Sequence, residues 1–241
     1  MTQLLLDQQP ALIDQVHDRL LAAIVDGTLA PGVRLTQESA ADMLGVSRQP
    51  VSHALQVLKR RGLLIEHGRK GLAVSAIEAS RVRQLYQVRA ALDSLAAQLS
   101  AARMRTGVTK RERADVARCL QVGLDLGPEP TITAMIDADV AFHSAVYRLS
   151  GNAAISETVE EQWPHFRRSM GLVLRDGTRR RQLWSEHNAI FQAILAGDGD
   201  RAGQLARDHA NKAGDDTARR LENDGDPSHF PAPATSVQRG L

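Results

Sequence analysis

Four side chains in the C-terminal half of the sequence have the types and the spacing of a metal-binding site. Asp139 and His143 are four residues apart, so they lie on one face of the same predicted helix. His187 and His209 stand at nearly equal distances on either side of a turn at 197–200, which places them almost opposite each other on antiparallel helices. A single helical histidine is more often a packed or surface group, but four converging residues predict one divalent metal ion per chain. A carboxylate and three imidazoles suit zinc or nickel and leave coordination positions open for water or a ligand.

A buried arginine is the second candidate for chemistry in this half of the chain. Arg89 lies in the first predicted helix of the region, where it can face the interior. Because a buried guanidinium needs an anionic partner, two partners are open: Asp93, four residues later, and the carboxylate of a bound ligand. Asn211, His165 and Arg167 are weaker candidates for the lining of a ligand cavity.

A polar and basic pattern opens a predicted helix near residue 47. Arg48 can bind guanine O6 and N7 through both of its terminal nitrogens, and Gln49 can pair with adenine. Ser47 can cap the helix and also bind a phosphate, which the helix N-terminus attracts. Between residues 47 and 70 there are six basic residues and one acidic residue. This block suits a surface that faces DNA phosphates, and a solvated helix end is the alternative.

The elements that carry the basic pattern form a predicted N-terminal domain, residues 1–75. Hydrophobic spacing predicts helices at 11–26, 36–44 and 47–61 and a β-hairpin at 63–66 and 72–75. Thr36 is the predicted N-cap of the second helix, and Gly45 ends that helix. This order is that of a winged helix-turn-helix, in which the second helix of the motif lies in the major groove of DNA.

The rest of the chain is predicted to be helical. From 79 to 220 every segment has helical periodicity, with about six helices of roughly 15–25 residues. Short breaks between them favour an antiparallel bundle over 76–221. Residues 222–241 are polar and rich in proline, which predicts a disordered tail. The fold class is therefore mainly α, a winged helix-turn-helix followed by an all-helical antiparallel bundle.

Composition excludes several classes of protein. The aromatic content of 3% disfavours a sheet sandwich. The single cysteine, Cys119, excludes an intrachain disulfide. Apolar runs are far shorter than the roughly 20 residues of a membrane span, and residues 1–10 lack the basic region of a signal peptide. These features predict a cytoplasmic protein with no membrane partner.

The N-terminal motifs resemble the GntR family of bacterial transcription regulators. Residues 24–35 are similar to the family's "I..G.l.PG..L", and residues 44–55 are similar to its "LGVSRTPVREAL". The segments 62–64 and 71–74 match the family's run into and out of the wing. The resemblance covers about 65 residues in the right order and implies a DNA-reading head.

This resemblance also implies which residues bind DNA. Ser52 and His53 replace the family's usual Arg-Glu pair, so the preferred half-site is expected to differ. His67 and Gly68 resemble the wing tip that contacts the minor groove in the FadR branch. The implied DNA-binding set is Arg34, Ser47, Arg48, Gln49, Ser52, His67, Gly68 and Arg69.

The C-terminal motifs resemble the FCD effector domain of the FadR subfamily. Residues 139–143 match its "D..FH", residues 186–190 match the start of "eH..i..Ai", and His209 matches the histidine of the last helix. Arg89 belongs to a match to "vR..lE", in which Asp93 replaces the usual glutamate. The resemblance implies a retained metal site and a homodimer, by family habit a repressor. Such a regulator binds a palindromic operator on double-stranded DNA and responds to a small organic acid.

Two other functions could use the same cluster of metal ligands. A hydrolase would need a metal-activated water, a general base and a group that stabilises developing charge. The sequence has no HExxH motif, glycine-rich phosphate loop or Ser-His-Asp pattern, and a winged helix would serve no purpose in such an enzyme. The sequence therefore predicts that the chain is not an enzyme. A purely structural metal, which clamps the helices of a regulator, stays open as the other alternative.

Overall fold

The computed structural model describes residues 12–68, 71–127, 129–174 and 177–223. The chain divides into two units between residues 76 and 77, one residue from the boundary expected from the sequence. The predicted tail lies outside the described residues except for its first two, Glu222 and Asn223, which continue the last helix. Within the described ranges, none of the helices combines the length and the apolar character that crossing a membrane requires.

The described part of the N-terminal unit contains the three helices and the hairpin of a winged helix-turn-helix. Its elements are α1 (Leu12–Val25), β1 (Arg34–Leu35), α2 (Gln37–Leu44), α3 (Arg48–Arg60), β2 (Leu64–His67) and β3 (Gly71–Val74). The strands are antiparallel in the order β1-β3-β2. Strand β1 escaped prediction because two residues show no alternation, and it forms only by pairing with Ala73 and Leu72 of β3.

Local signals determine the turn between α2 and α3. Thr36 caps α2, as predicted, and forms a reciprocal capping box with Ser39. Gly45 ends α2 with a φ of 66°, a left-handed conformation that glycine adopts without steric cost. Ser47 occupies the N-cap position of α3, but its side chain makes no capping hydrogen bond in the described part of the chain. The prediction that Ser47 caps the helix is thus correct for its position and wrong for its side chain.

The C-terminal unit is all-helical in its described residues, so the predicted fold class is confirmed. Its helices are α4 (Ala79–Thr106), α5 (Lys110–Leu124), α6 (Ile132–Ser150), α7 (Ala153–Glu160), α8 (Trp163–Val173), α9 (Gly177–Leu195) and α10 (Gly199–Asn223). The sequence predicts about six helices here, whereas the described residues form seven, because residues 153–173 form two short helices instead of one. Pro164 in the first turn of α8 explains the break, since a proline inside a continuous helix would clash with the preceding turn.

Helix α10 packs closely against α4 through Gly214. A Cβ on Gly214 would lie 2.5 Å from the Cβ of Tyr86, which is too close for two carbon atoms. Because that Cβ is fixed to the backbone of α4, only a separation of the two helices could relieve the contact. The spacing of α4 and α10 therefore depends on a glycine, and these helices carry Arg89 and His209.

We predict that Gly214→Ala lowers the free energy of unfolding by about 1–3 kcal/mol, the usual cost of overpacking. Urea unfolding measures the change as a lower transition midpoint. The control is Gly171→Ala in α8, where a Cβ would lie 3.7 Å from Ile132, an ordinary contact. This control should be neutral or stabilising, because alanine favours helix more than glycine does. Equal midpoints for Gly214→Ala and the parent would show that α4 and α10 separate without cost.

Candidate metal centre and DNA-binding surface

Four residues from three helices converge inside the C-terminal unit, and we call them the metal cluster. Asp139 and His143 come from α6, His187 from α9 and His209 from α10. Each offers a ligand atom, and these four atoms lie within 4.8 Å of one another. All four side chains are buried, with at most 4% of any residue exposed. The structure thus brings together the residues that the sequence places on a common site.

The distances inside the metal cluster suit a single ion. His187 Nε2 lies 3.2 Å from His209 Nε2 and 3.4 Å from Asp139 Oδ1. His143 Nε2 lies 3.9 Å from the same Asp139 oxygen. Two ligands bound to one tetrahedral zinc at its usual distance are separated by about 3.3 Å. Two of these three separations are therefore close to the edge of a tetrahedral zinc site, and the third is longer.

The protonation of His143 also fits a metal ligand. Its Nε2 is buried and has no hydrogen-bond partner among the described residues. Burial lowers the pKa of His143 well below 6.5, and the positive charge of Arg89 lowers it further. The imidazole is therefore neutral near pH 7, the form that binds metals. A cation bound at Nε2 would satisfy an atom that otherwise costs free energy in the core.

Arg89 lies beside the metal cluster and is 2% exposed. Its Nε is 3.4 Å from Asp93, and a terminal nitrogen is 3.8 Å from Asp139. The guanidinium also lies 5.1 Å from the ring centre of Trp163. The local partner weighed in the sequence is therefore present, and Asp139 is a second one that the sequence did not suggest. Burial lowers the pKa of Arg89, but Asp93, Tyr147, Tyr86 and Asp139 together outweigh it and raise the pKa above its usual value, so the side chain is charged.

A small cavity adjoins Arg89 and the metal cluster. Its volume is about 30 Å³, roughly the space of one water molecule. The cavity is lined by Arg89, Asp139 and His209, and by apolar side chains that include Tyr86, Met170, Leu174 and Leu183. The cavity is therefore too small in this conformation for an organic acid.

Several weaker sequence candidates do not reach this cavity. Asn211 is exposed, because it lies two positions after His209 on α10, about 200° around the helix. Arg167 forms an ion pair of 2.6 Å with Asp137, and His165 is half-buried on α8. The structure does not place Asn211 or Arg167 with the metal cluster, which corrects that expectation.

Sequence reasoning missed two polar residues around the cluster. Glu186 Oε2 accepts a hydrogen bond of 2.8 Å from His209 Nδ1. Tyr147 donates a hydrogen bond to Asp93, whose pKa burial raises against the effect of Arg89. Neither contact follows from helical spacing, because each joins side chains of different helices. The position of Glu186 next to His187 was the available signal.

The N-terminal unit presents most of the predicted DNA-binding set to solvent. Ser47, Arg48 and Gln49 are exposed at the start of α3, and Arg48 forms an ion pair of 2.6 Å with Glu38. Ser52 is half-buried and accepts a hydrogen bond from Gln37. The remaining described members, Arg34, His67 and Gly68, are exposed, and Arg69 lies outside the described residues. Helix α3 and the hairpin thus present polar side chains to solvent.

We predict that His143 makes the metal-free protein less stable as the pH falls below 6.5, a contribution that Asp93 opposes because its pKa is raised. Folded His143 stays neutral there, while His143 of the unfolded chain takes up a proton and stabilises the unfolded state. The expected slope from this one group is at most about 1.4 kcal/mol per pH unit. Urea unfolding between pH 5 and 7.5 with a chelator present measures it.

A His143→Gln variant is the control for this pH dependence. Below pH 6.5, its free energy of unfolding should depend on pH less steeply than that of the parent, by up to the contribution of one proton. This difference does not depend on the stability of the variant at neutral pH. An identical slope in parent and variant would contradict the lowered pKa of His143.

The two units match two family models at the positions expected from their motifs. The model for bacterial regulatory proteins of the gntR family matches residues 12–74, and the FCD domain model matches residues 84–212, more than half of the chain. The first match contains α3 and the hairpin. The second contains the four residues of the metal cluster and Arg89.

Relatives with similar sequences and structures agree with these matches. A transcriptional regulator of the HTH type in an unstable DNA locus of Streptomyces ambofaciens is 30% identical over 209 residues, which cover 85% of this chain and 84% of that protein. YdhC, an HTH-type regulator of Bacillus subtilis, is 25% identical over 86% of this chain and 91% of its own length.

Solved structures are also similar to this chain. A GntR structure from Rhodococcus sp. RHA1 is 27% identical, with a TM-score of 0.69 over 88% of this chain and 99% of its own. E. coli McbR/YncC shares the fold at 19% identity, with a TM-score of 0.72 over 89% of this chain and 99% of its own. The chain therefore belongs to the GntR family, as a DNA-binding transcriptional regulator with an FCD domain and not as an enzyme.

Proposed function

We propose that this regulator is a homodimeric repressor whose affinity for a palindromic operator is controlled by a small carboxylate bound beside a divalent metal. The observation that carries the proposal is the buried convergence of Asp139, His143, His187 and His209 within 4.8 Å. Zinc or nickel would be held by these four residues. When bound, the ion supplies a Lewis-acidic centre that attracts an anionic ligand.

The charges around the metal cluster favour an anionic effector. Arg89 carries a positive charge, Asp139 would be ionised as a metal ligand, and burial raises the pKa of Asp93. With a divalent ion present, the site has a net positive charge whether Asp93 is ionised or protonated, because the neutral histidines add none. A carboxylate that enters would reduce this charge and could pair with Arg89 in a bidentate geometry.

The small size of the cavity means that binding of a carboxylate would require a change in the packing of α8 and α9. A carboxylate larger than one water molecule fits beside Arg89 only if the side chains of Met170, Leu174 and Leu183 withdraw. These residues lie at the end of α8 and on α9, so an occupied site favours a different packing of these helices. A ligand that prefers one packing shifts the equilibrium toward it, and a coupling of about 1–3 kcal/mol would change operator affinity roughly 5–150-fold.

An exposed apolar stripe on α4 supports the homodimer. Val88 is 57% exposed and Leu95 is 40% exposed, and they lie two turns apart on one face with Ala91 between them. The stripe is symmetric about residues 91 and 92. An antiparallel pair of α4 helices around a twofold axis would set Val88 of one copy against Leu95 of the other. A symmetric dimer in turn suits two recognition helices on a palindromic site.

The second candidate is a regulator with a purely structural metal. The complete burial of His187 and the small volume of the cavity favour this alternative, because a closed site is typical of structural ions. The two candidates differ in whether a carboxylate changes operator binding in a metal-dependent way.

We predict that His187→Ala/His209→Ala loses the bound ion, because it removes two of four ligands on separate helices. Metal content, measured by mass spectrometry after purification, should fall from about one ion per chain to near zero. Thermal stability should fall with it, since the ion stabilises only the folded state. The control is His165→Ala, a histidine of the same unit outside the metal cluster, which should keep its metal.

Effector control is tested on the same proteins with operator DNA found by genomic footprinting. A panel of short mono- and dicarboxylates should change the operator affinity of the parent and not that of the double variant. If the double variant loses its metal but carboxylates do not change the operator affinity of the parent, a structural role of the metal is favoured. Equal metal content in parent and double variant would refute the site.

We predict that Arg48→Ala weakens operator binding by about 1–3 kcal/mol and relaxes base preference at one position per half-site, because Arg48 reads a guanine. The matched control is Lys59→Ala, which should weaken all DNA alike and reduce the salt slope by about one. Fluorescence anisotropy on full and half operators measures both effects, and the full site should bind much more tightly if the dimer is correct. Unchanged affinity and preference in Arg48→Ala would mean that α3 does not read the bases in this way.

A further inference from the structure

Glu186 links two of the helices that build the metal cluster. Its Oε2 accepts a hydrogen bond of 2.8 Å from His209 Nδ1, and its Oε1 accepts one of 3.0 Å from Lys212. Glu186 lies on α9 directly before His187, whereas His209 and Lys212 lie on α10. Its side chain is 22% exposed, so it stands between the buried cluster and solvent. The helix that supplies one predicted ligand therefore also supports another ligand on the neighbouring helix.

The hydrogen bond to Glu186 determines which nitrogen of His209 is available. A neutral imidazole has one N–H, and the carboxylate of Glu186 can only accept, so the proton resides on Nδ1. His209 Nε2 is then left with its lone pair, and this is the atom that lies 3.2 Å from His187 Nε2 inside the cluster. A proton on Nε2 would instead block that atom as a ligand.

We propose that Glu186 is a positioning residue for the metal site: it holds His209 in the Nδ1–H tautomer and orients the ring so that Nε2 faces the other ligands. This inference rests on the proposed metal function. Carboxylates that support a ligating histidine in this way are common, and their loss typically weakens metal binding 10–100-fold. Glu186 itself does not contact the metal in this assignment.

The support of His143 is of a different kind. His143 Nδ1 is 3.5 Å from Asp93, which is longer than a good hydrogen bond. Asp93 also accepts from Tyr147 and lies against Arg89, so it is engaged by other groups. His143 is fixed mainly by packing, whereas His209 has a directional hydrogen bond. The effect of removing a carboxylate on the tautomer should therefore be larger at Glu186.

A merely structural role predicts a different result. If Glu186 served only to pair α9 with α10 through Lys212, then removing either partner would have the same effect. An ion pair this exposed contributes about 0–1 kcal/mol, or less than about fivefold in any linked affinity. Lys212→Met therefore measures the contribution of the ion pair alone.

The rescue variant combines two substitutions. A glutamine at 186 can still accept the proton of His209 through Oε1, but its NH2 group would then face the ammonium of Lys212. Glu186→Gln/Lys212→Met removes that donor–donor conflict and keeps the acceptor for His209. Comparison with Glu186→Ala separates the acceptor from the charge.

The experiment uses the full chain in two states. Long-range ¹H–¹⁵N spectra of the metal-free protein report the tautomer of His209, whose signals are assigned with His209→Ala. Competition with a chelator measures zinc affinity in the same four proteins. We expect Nδ1–H in the parent, in Lys212→Met and in the double variant, and a mixture with Nε2–H in Glu186→Ala. Zinc affinity should fall about 10–100-fold in Glu186→Ala and change less than about fivefold in the other two.

The two readouts keep the inference separate from the metal function. If the parent binds no zinc but Glu186→Ala still changes the tautomer of His209, the proposed metal function is wrong. The inference that Glu186 sets this tautomer is then still supported. If the parent binds zinc and Glu186→Ala matches it in affinity and tautomer, the inference is overturned. If Glu186→Ala does not fold, Glu186→Gln/Lys212→Met is compared with Lys212→Met instead. A loss of zinc affinity of tenfold or more in the double variant would contradict the tautomer role, because its glutamine still accepts the proton of His209.

Discussion

The burial of charged and hydrogen-bonding groups between α4, α6, α9 and α10 is the constraint on which the C-terminal unit depends. Arg89, Asp93 and Asp139 are each at most 3% exposed, so each has lost the stabilisation of water. Their mutual contacts restore part of it, but they require the helices to hold one relative position. The close approach of Gly214 to Tyr86 sets that position for α4 and α10. A packing contact between Gly214 and Tyr86 thus supports an electrostatic network that begins one turn further along α4, at Arg89.

The N-terminal unit depends on simpler local rules. The capping box of Thr36 and the left-handed conformation of Gly45 define the two ends of α2 and so the turn into α3. The apolar side of α3 is buried in the core of this unit. The contact of Arg48 with Glu38 is exposed, so water screens it and DNA can displace it at little cost. The charged groups of this contact in the N-terminal unit are exposed to solvent, whereas those around Arg89 in the C-terminal unit are buried.

The sequence could predict this fold and the four ligands because both depend on periodicity. Asp139 and His143 share a helical face by spacing alone, and the symmetry of His187 and His209 about one turn needs only antiparallel helices. The same arithmetic, applied to His209 and Asn211, would have put Asn211 on the opposite side of α10. The contact of Glu186 with His209 and that of Asp139 with Arg89 could not be derived from spacing, because they depend on how each helix is rotated against its neighbours. Strand β1 was missed for the same reason, since only its partner strand defines it.

The volume of the cavity has a kinetic consequence. If the proposed effector binds in this pocket of about 30 Å³, its entry would follow the opening of the apolar wall. The observed rate of binding then rises with concentration only until it equals the opening rate, and it stays constant above that. Release is slowed by the same gate, which gives a long residence time for a modest affinity. Under the proposed function, such a regulator would respond to sustained changes in effector concentration more than to brief ones.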